Sequence, residues 1–171
     1  MRDIFRHKTC PHAFSWLTWA VLSGIAFGIQ VTRNGGPGAW LMGVTSLVTF
    51  FIFVLCIFYG EKRITKLDWL CLASAGLALL LWVLSDRPLL SVLLIAFVDA
   101  VGGFLPTFRK SFTKPYEETE ILYILYALSL GLSLVALRAF TLVNAFYPAT
   151  FIVINLAMAS YLHLHKQFVI R

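Results

Sequence analysis

Six stretches of the chain are continuously apolar: residues 14–31, 39–59, 67–85, 89–108, 121–137 and 142–164. None alternates between apolar and polar positions, so the pattern predicts helices rather than half-buried strands. Each is long enough to cross a hydrocarbon core of ~30 Å, which takes roughly 17–25 helical residues. A segment in hydrocarbon must also satisfy its own backbone hydrogen bonds, and a helix does so. Turn-forming residues mark the breaks: Asn34-Gly35-Gly36-Pro37-Gly38, Gly60-Glu61-Lys62-Arg63, Asp86-Arg87-Pro88 and the longer loop 109–120. The expected fold class is all-α, a polytopic membrane bundle of six transmembrane helices forming one integral membrane domain over residues 1–171.

Basic residues between the runs set an expected orientation. The N-terminal segment, the second and fourth connections and the C-terminus together carry eleven Lys and Arg; the first, third and fifth connections carry three. By the positive-inside rule both termini lie in the cytoplasm, and the expected location is a bacterial inner membrane. The alternation also agrees with six crossings.

Composition supports the bilayer as solvent. Of 171 residues, 60% are hydrophobic and 13% charged, with a mean hydropathy of +0.84. The net charge of +6 is dispersed in small groups between apolar runs. That is the pattern of membrane topology, and no nucleic-acid partner is expected. Cys10, Cys56 and Cys71 show no metal-ligand spacing and read as small hydrophobes. The first run follows basic residues as a signal peptide would. It lacks a small-residue cleavage site and five more runs follow, so it reads as a membrane segment.

Chemistry concentrates in the fourth run. Asp99 stands near its middle, where a charge costs about 2.5–3.5 kcal/mol on insertion scales, so the side chain should face a cavity or a partner. It is either a coupling or solute-binding acid, or a neutral acid that locks the bundle by bonding across helices. Counted inward from the same side, Thr49 on the second run and Asn155 on the sixth reach a similar depth. Polar groups at the midplane between repeats are where transporters commonly bind substrate. The alternative for both is interhelical glue, worth about 0.6 kcal/mol per bond. Gly102, Gly103 and Pro106 loosen the end of the fourth helix, as a hinge or as a static kink. Trp16, Trp19, Tyr123 and Tyr126, at the ends of their runs, are expected to form an interfacial aromatic belt. Gly24-x-x-x-Gly28 and the Ser129/Ser133 spacing mark packing faces. His163-x-His165 places its rings about 200° apart on a helix, so no metal is expected there. With no nucleophile–base pair, phosphate loop or zinc spacing, neither enzymatic activity nor a cofactor is expected.

The chain also contains an internal repeat. A shift of 104 residues sets Arg6 on Lys110, Thr9 on Thr113, Pro11 on Pro115, Ser15 on Thr119 and Trp19 on Tyr123. A shift of 106 sets Ala39-Trp40 on Ala145-Phe146 and makes Thr49 the mate of Asn155. Both copies start on the cytoplasmic side, so two same-facing repeats are expected: about 1–66 and 89–171, joined by a linker helix at 67–85. This plan, with Leu105-Pro106-Thr107 and Arg109-Lys110-Ser111 at the end of the fourth run, resembles the SWEET/PQ-loop superfamily of membrane transporters. Thr107 stands where that family has glutamine. A helix matching 89–108 does not precede Arg2, so the seven-helix plan lacks its first member, to be supplied upstream or by a partner, for example in a homo-oligomer. The resemblance implies a path for a small polar solute between two helical bundles, with prolines as hinges and Asn155 contributing to the site. The competing expectation is a non-transporting membrane scaffold or assembly partner.

Overall fold

A computed structural model describes residues 13–59, 66–104, 108, 111–112 and 119–169. Pro11, Pro106, Pro115 and the basic and acidic residues 109, 110, 114, 117 and 118 lie outside the described residues. Among the described residues these helices follow in order: α1 (Ala13–Thr32), α2 (Trp40–Tyr59), α3 (Lys66–Val83), α4 (Pro88–Asp99), α5 (Glu120–Val135) and α6 (Leu142–Val169). A 3-10 turn, Gly36–Ala39, leads into α2, and α4 continues as a π-helix over Ala100–Phe104. No strand occurs among the described residues.

Four of the helical segments are long and apolar enough to cross a membrane: Ala13–Thr32, Gly36–Tyr59, Lys66–Val83 and Leu142–Gln167. Pro88–Phe104 and Glu120–Val135 are apolar but shorter. The bundle thus has four to six apolar helices and is compatible with an integral membrane protein. Its outer surface agrees. On α3 only Ala75 and Ala78 are buried, while Leu70 and Leu80 face outward. A helix apolar on every side, yet uncovered by protein, suits lipid.

Neighbouring helices close a ring in the order α1, α2, α5, α6, α4, α3, and α1 also touches α4 and α6 across it. Leu22, Ile25 and Ile29 of α1, Val92 and Ile95 of α4, Leu130 of α5 and Phe151 of α6 fill its core. In lipid such contacts stabilise through close packing, not water exclusion. Hence small residues sit where helices meet. A Cβ on Gly24 would stand 3.1 Å from Ser46 Oγ on α2, and one on Gly28 would stand 2.4 Å from the Trp82 ring on α3. The Gly24/Gly28 face therefore serves two different neighbours.

The α1–α2, α3–α4 and α5–α6 turns share one end of the bundle, here called the turn end, opposite the N-terminal end of α1. Asn34, with φ of 59°, ends α1, and Gly35 N–H donates back to Gln30 O. The α1–α2 and α5–α6 turns then dock on each other. Gly38 N–H donates to Ala136 O, Arg138 N–H to Gly35 O, and Ala139 N–H to Asn34 O. Ser133 Oγ donates to Gly38 O at 2.7 Å. Arg33 pairs with Asp86, tying the third turn to the same end.

One polar contact is dictated by a proline. Pro148 lies inside α6 and has no N–H to give the carbonyl of Asn144, four residues earlier. Gln30, on α1 and buried, supplies the missing donor: its Nε2 reaches Asn144 O at 2.8 Å. Gln30→Leu should therefore cost about 1–3 kcal/mol, the penalty of a stranded buried acceptor. In a Pro148→Ala background the backbone N–H returns and the cost should shrink. Thermal unfolding of the four proteins in one detergent measures this coupling; equal losses in both backgrounds would disprove the compensation.

Candidate functional site

α1, α2, α4, α5 and α6 surround a cavity of about 500 Å³. It runs from Trp16 and Leu122, in the first turns of α1 and α5, to Tyr147 on α6. The three polar residues singled out from the sequence, Thr49, Asp99 and Asn155, all line it, and they come from three different helices. Gly103 lines it too.

Asp99 is buried and held from two sides. Trp19 Nε1 donates to its Oδ1 at 2.9 Å, and Tyr147 OH donates to its Oδ2 at 2.6 Å. An indole N–H can only donate, so Oδ1 is an acceptor, and 2.6 Å is a short O–H···O bond. Each oxygen keeps a further lone pair. Among the described residues lining the cavity there is no Lys, Arg or His. A smaller cleft of about 20 Å³ adjoins the acid on the α3 side, with Ser15, Thr18, Asp68 and Cys71 in its wall. That is room for one water.

Local backbone geometry makes room for this arrangement. The π-helix begins just after Asp99, and insertions of that kind occur often at functional sites. It contains Gly102 and Gly103. A Cβ on Gly103 would lie 2.7 Å from Asp99 Oδ1 and 2.7 Å from Trp19 Nε1; one on Gly102 would lie 2.6 Å from Cys71 Sγ. Gly103 therefore lets the indole reach the acid, while Gly102 lets α3 approach.

The hydrogen bonds of Asn155 and Thr49 go elsewhere than Asp99. Asn155 Nδ2 donates to Phe151 O at 2.7 Å, and Thr49 Oγ1 donates to Thr45 O at 2.8 Å, each within its own helix. The Thr49 hydroxyl proton and one of the two Asn155 N–H groups are engaged, and both side chains keep acceptor oxygens. Ser23 likewise spends its hydroxyl on Trp19 O at 2.6 Å.

Aromatic rings form the rest of the wall. Tyr147 and Phe151 lie 4.6 Å apart between centroids, Phe151 and Phe104 5.7 Å, and Phe104 and Tyr123 6.3 Å. Trp16 and Trp19 meet edge-to-face at 5.2 Å. Trp16, Trp19, Tyr123 and Tyr126, expected in an interfacial belt, all line the cavity. Trp19 is held there by its bond to Asp99, and Tyr123 is buried against Met158 and Leu162. Sequence reasoning missed Tyr147 altogether, along with Gln30 and Asn144. The signal for Gln30 was an amide in an apolar helix, with an unmatched proline elsewhere. His163 bonds Glu120 at 3.1 Å and His165 stacks on Tyr161, and no group of metal-binding side chains occurs among the described residues.

Residues 38–86 match a family of unknown function (DUF6903). That segment covers α2 and α3 and contributes only Thr45 and Thr49 to the large cavity. No curated protein and no solved structure matches the chain.

Proposed function

We propose that the protein is a membrane transporter for a small polar solute, similar in plan to the SWEET/PQ-loop group, with the large cavity as its solute site. One observation carries this reading: Asp99, Thr49 and Asn155, on three helices, converge on one cavity large enough for a solute. In this reading all six helices span the membrane and α3 links two same-facing repeats. Repeat-equivalent positions supply much of the wall: Trp19 and Tyr123 at a shift of 104, Thr45 with Phe151 and Thr49 with Asn155 at 106. A cavity on the pseudo-symmetry axis is lined in this way. Asp99 is the one acidic side chain in the described wall.

With the termini cytoplasmic, the docked turns close the outer side and the cavity faces inward. Passage then requires the α1–α2 and α5–α6 turns to separate, breaking their backbone hydrogen bonds while the hairpins move as units. Proteoliposomes loaded with sugars, amino acids, nucleosides and amines, with release followed by mass spectrometry, test the reading. At least one solute should leave roughly tenfold faster than from protein-free vesicles, and Asp99→Asn should remove that excess in a chain that still inserts; a charge-assisted bond worth about 1.5–3 kcal/mol sets the scale. Unchanged release by Asp99→Asn would remove the site assignment. No release above protein-free vesicles, with Asp99→Asn failing to fold, would identify a scaffold instead.

A further inference from the structure

We infer that the solute is an organic cation, a protonated amine or a quaternary ammonium compound, held by Asp99 inside an aromatic cage. The inference rests on the cavity being the solute site proposed above. Three features of the wall point to it. First, the cavity holds one carboxylate and, among its described lining residues, no basic side chain, so an anionic solute meets repulsion without compensation. A cation supplies the counter-charge that the buried acid otherwise lacks. Second, Trp16, Trp19, Phe104, Tyr123, Tyr147 and Phe151 line the same cavity as the acid, and the faces of such rings attract ammonium groups most strongly when water is excluded. Third, acceptor oxygens stand beside the acid. Ser23 and Thr49 direct their hydroxyl protons, and Asn155 one of its two amide N–H groups, to carbonyls of their own helices, and Trp19 and Tyr147 direct theirs to Asp99. Asp99, Asn155 Oδ1 and Thr49 Oγ1 keep lone pairs, and an ammonium group needs acceptors and π faces alone.

Asp99 keeps its place while it does this. Trp19 and Tyr147 each bind one carboxylate oxygen from opposite helices, which fixes the carboxylate plane and leaves a lone pair on each oxygen. The bond from Tyr147 ties the acid to α6 and the bond from Trp19 ties it to α1. A cation bound at Asp99 therefore sits where the two hairpins meet.

An ammonium group can arrive on a free solute or on a choline or ethanolamine lipid headgroup, and the test separates the two. The purified full chain in a non-ionic maltoside detergent, free of added lipid, is titrated calorimetrically with choline, benzyltrimethylammonium and tetraethylammonium. The same titration uses 3,3-dimethylbutan-1-ol, which has the shape of choline without its charge. At least one cation should bind tenfold or more tightly than the alcohol. Asp99→Asn should erase that preference, and Phe151→Leu should weaken the cation about three- to tenfold while leaving the alcohol unchanged, since it keeps bulk and removes the π face. If free cations fail but dioleoylphosphatidylcholine doped into the micelles binds where dioleoylphosphatidylglycerol does not, the ammonium site belongs to a headgroup. Equal binding of cation and alcohol, no binding by any of these ammonium compounds, or a preference untouched by both variants would overturn the inference. Its failure is distinct from failure of the transport reading: vesicles that release a neutral solute but no amine keep the transporter and lose the cation.

Discussion

If the protein passes a solute, Gly103→Ala should cut its release at least tenfold while the bundle stays folded. The added methyl would stand 2.7 Å from Asp99 Oδ1, 2.7 Å from Trp19 Nε1 and 3.2 Å from Trp19 Cε2, inside the hydrogen bond that joins them. No real Cβ contact is that short, so the acid or the indole must give way. Asp99 has little freedom to do so, because Tyr147 holds its other oxygen at 2.6 Å. The indole is the part that moves, and the bond to a charged group that is lost with it is worth about 1.5–3 kcal/mol, roughly ten- to a hundredfold in rate or affinity. Gly102→Ala is the matched control. Its methyl would meet Cys71 Sγ at 2.6 Å, on the α3 side of the acid. That variant should lower the thermal midpoint and leave Trp19 in contact with Asp99, so release per folded molecule should hold. Tryptophan emission reports the difference, since only Gly103→Ala frees an indole that is buried against a carboxylate. Equal release from the two alanine variants would mean that the Trp19–Asp99 pair has no part in passage.

Much of the fold was legible because hydrocarbon leaves few alternatives. The apolar run 14–31 became Ala13–Thr32, and 67–85 became Lys66–Val83, since continuous apolar sequence with no water to satisfy its backbone has to be helical. The run 89–108 departed from that simple form: α4 ends at Asp99 and a π-helix follows to Phe104. The two glycines there were visible, but two tertiary bonds on Asp99 and the approach of Trp19 and Cys71 decide the conformation, and those depend on partners 80 and 48 residues away and on α3 across a turn. The sixth run carried on to Val169, past its apolar end, where Gln167 bonds His163 one turn back at 2.9 Å. At the site, depth counting found Thr49, Asp99 and Asn155 because polar residues are rare in such runs. It missed Tyr147 and did not bring Trp19 to the acid because aromatic side chains are common in them and serve belts, cores and cavities alike. Which of these an aromatic serves depends on the rotation of its helix, and an apolar run with low amphipathicity carries little information about rotation.

Asn144→Ala should produce the largest loss of stability among single polar substitutions and, if the protein is a transporter, should open its outer side. Asn144 is fully buried at the start of α6. Its Nδ2 donates to Arg33 O at 2.9 Å, in the α1–α2 turn, and to Ala139 O at 2.8 Å, in the α5–α6 turn. One amide thus bridges the two turns whose docking closes this end. Alanine strands two carbonyls, each costing about 1–3 kcal/mol when it stays buried, so a loss of roughly 2–4 kcal/mol is expected. The N-cap contact survives, since Thr141 Oγ1 accepts from the Asn144 backbone N–H, and the helix should start where it does now. A stability loss alone is compatible with a scaffold. A second readout separates the two: a membrane-impermeant maleimide applied from the turn side to a cysteine at Thr49, in protein whose own cysteines are serine. With the turns docked, that thiol should be protected from the turn side. In Asn144→Ala it should react several-fold faster while an ammonium ligand bound at Asp99 slows the reaction, because stranded carbonyls gain water only when the turns part. Lower stability with the thiol still protected would mean that Asn144 cements the bundle and gates nothing, and the turn end would then be a fixed seal.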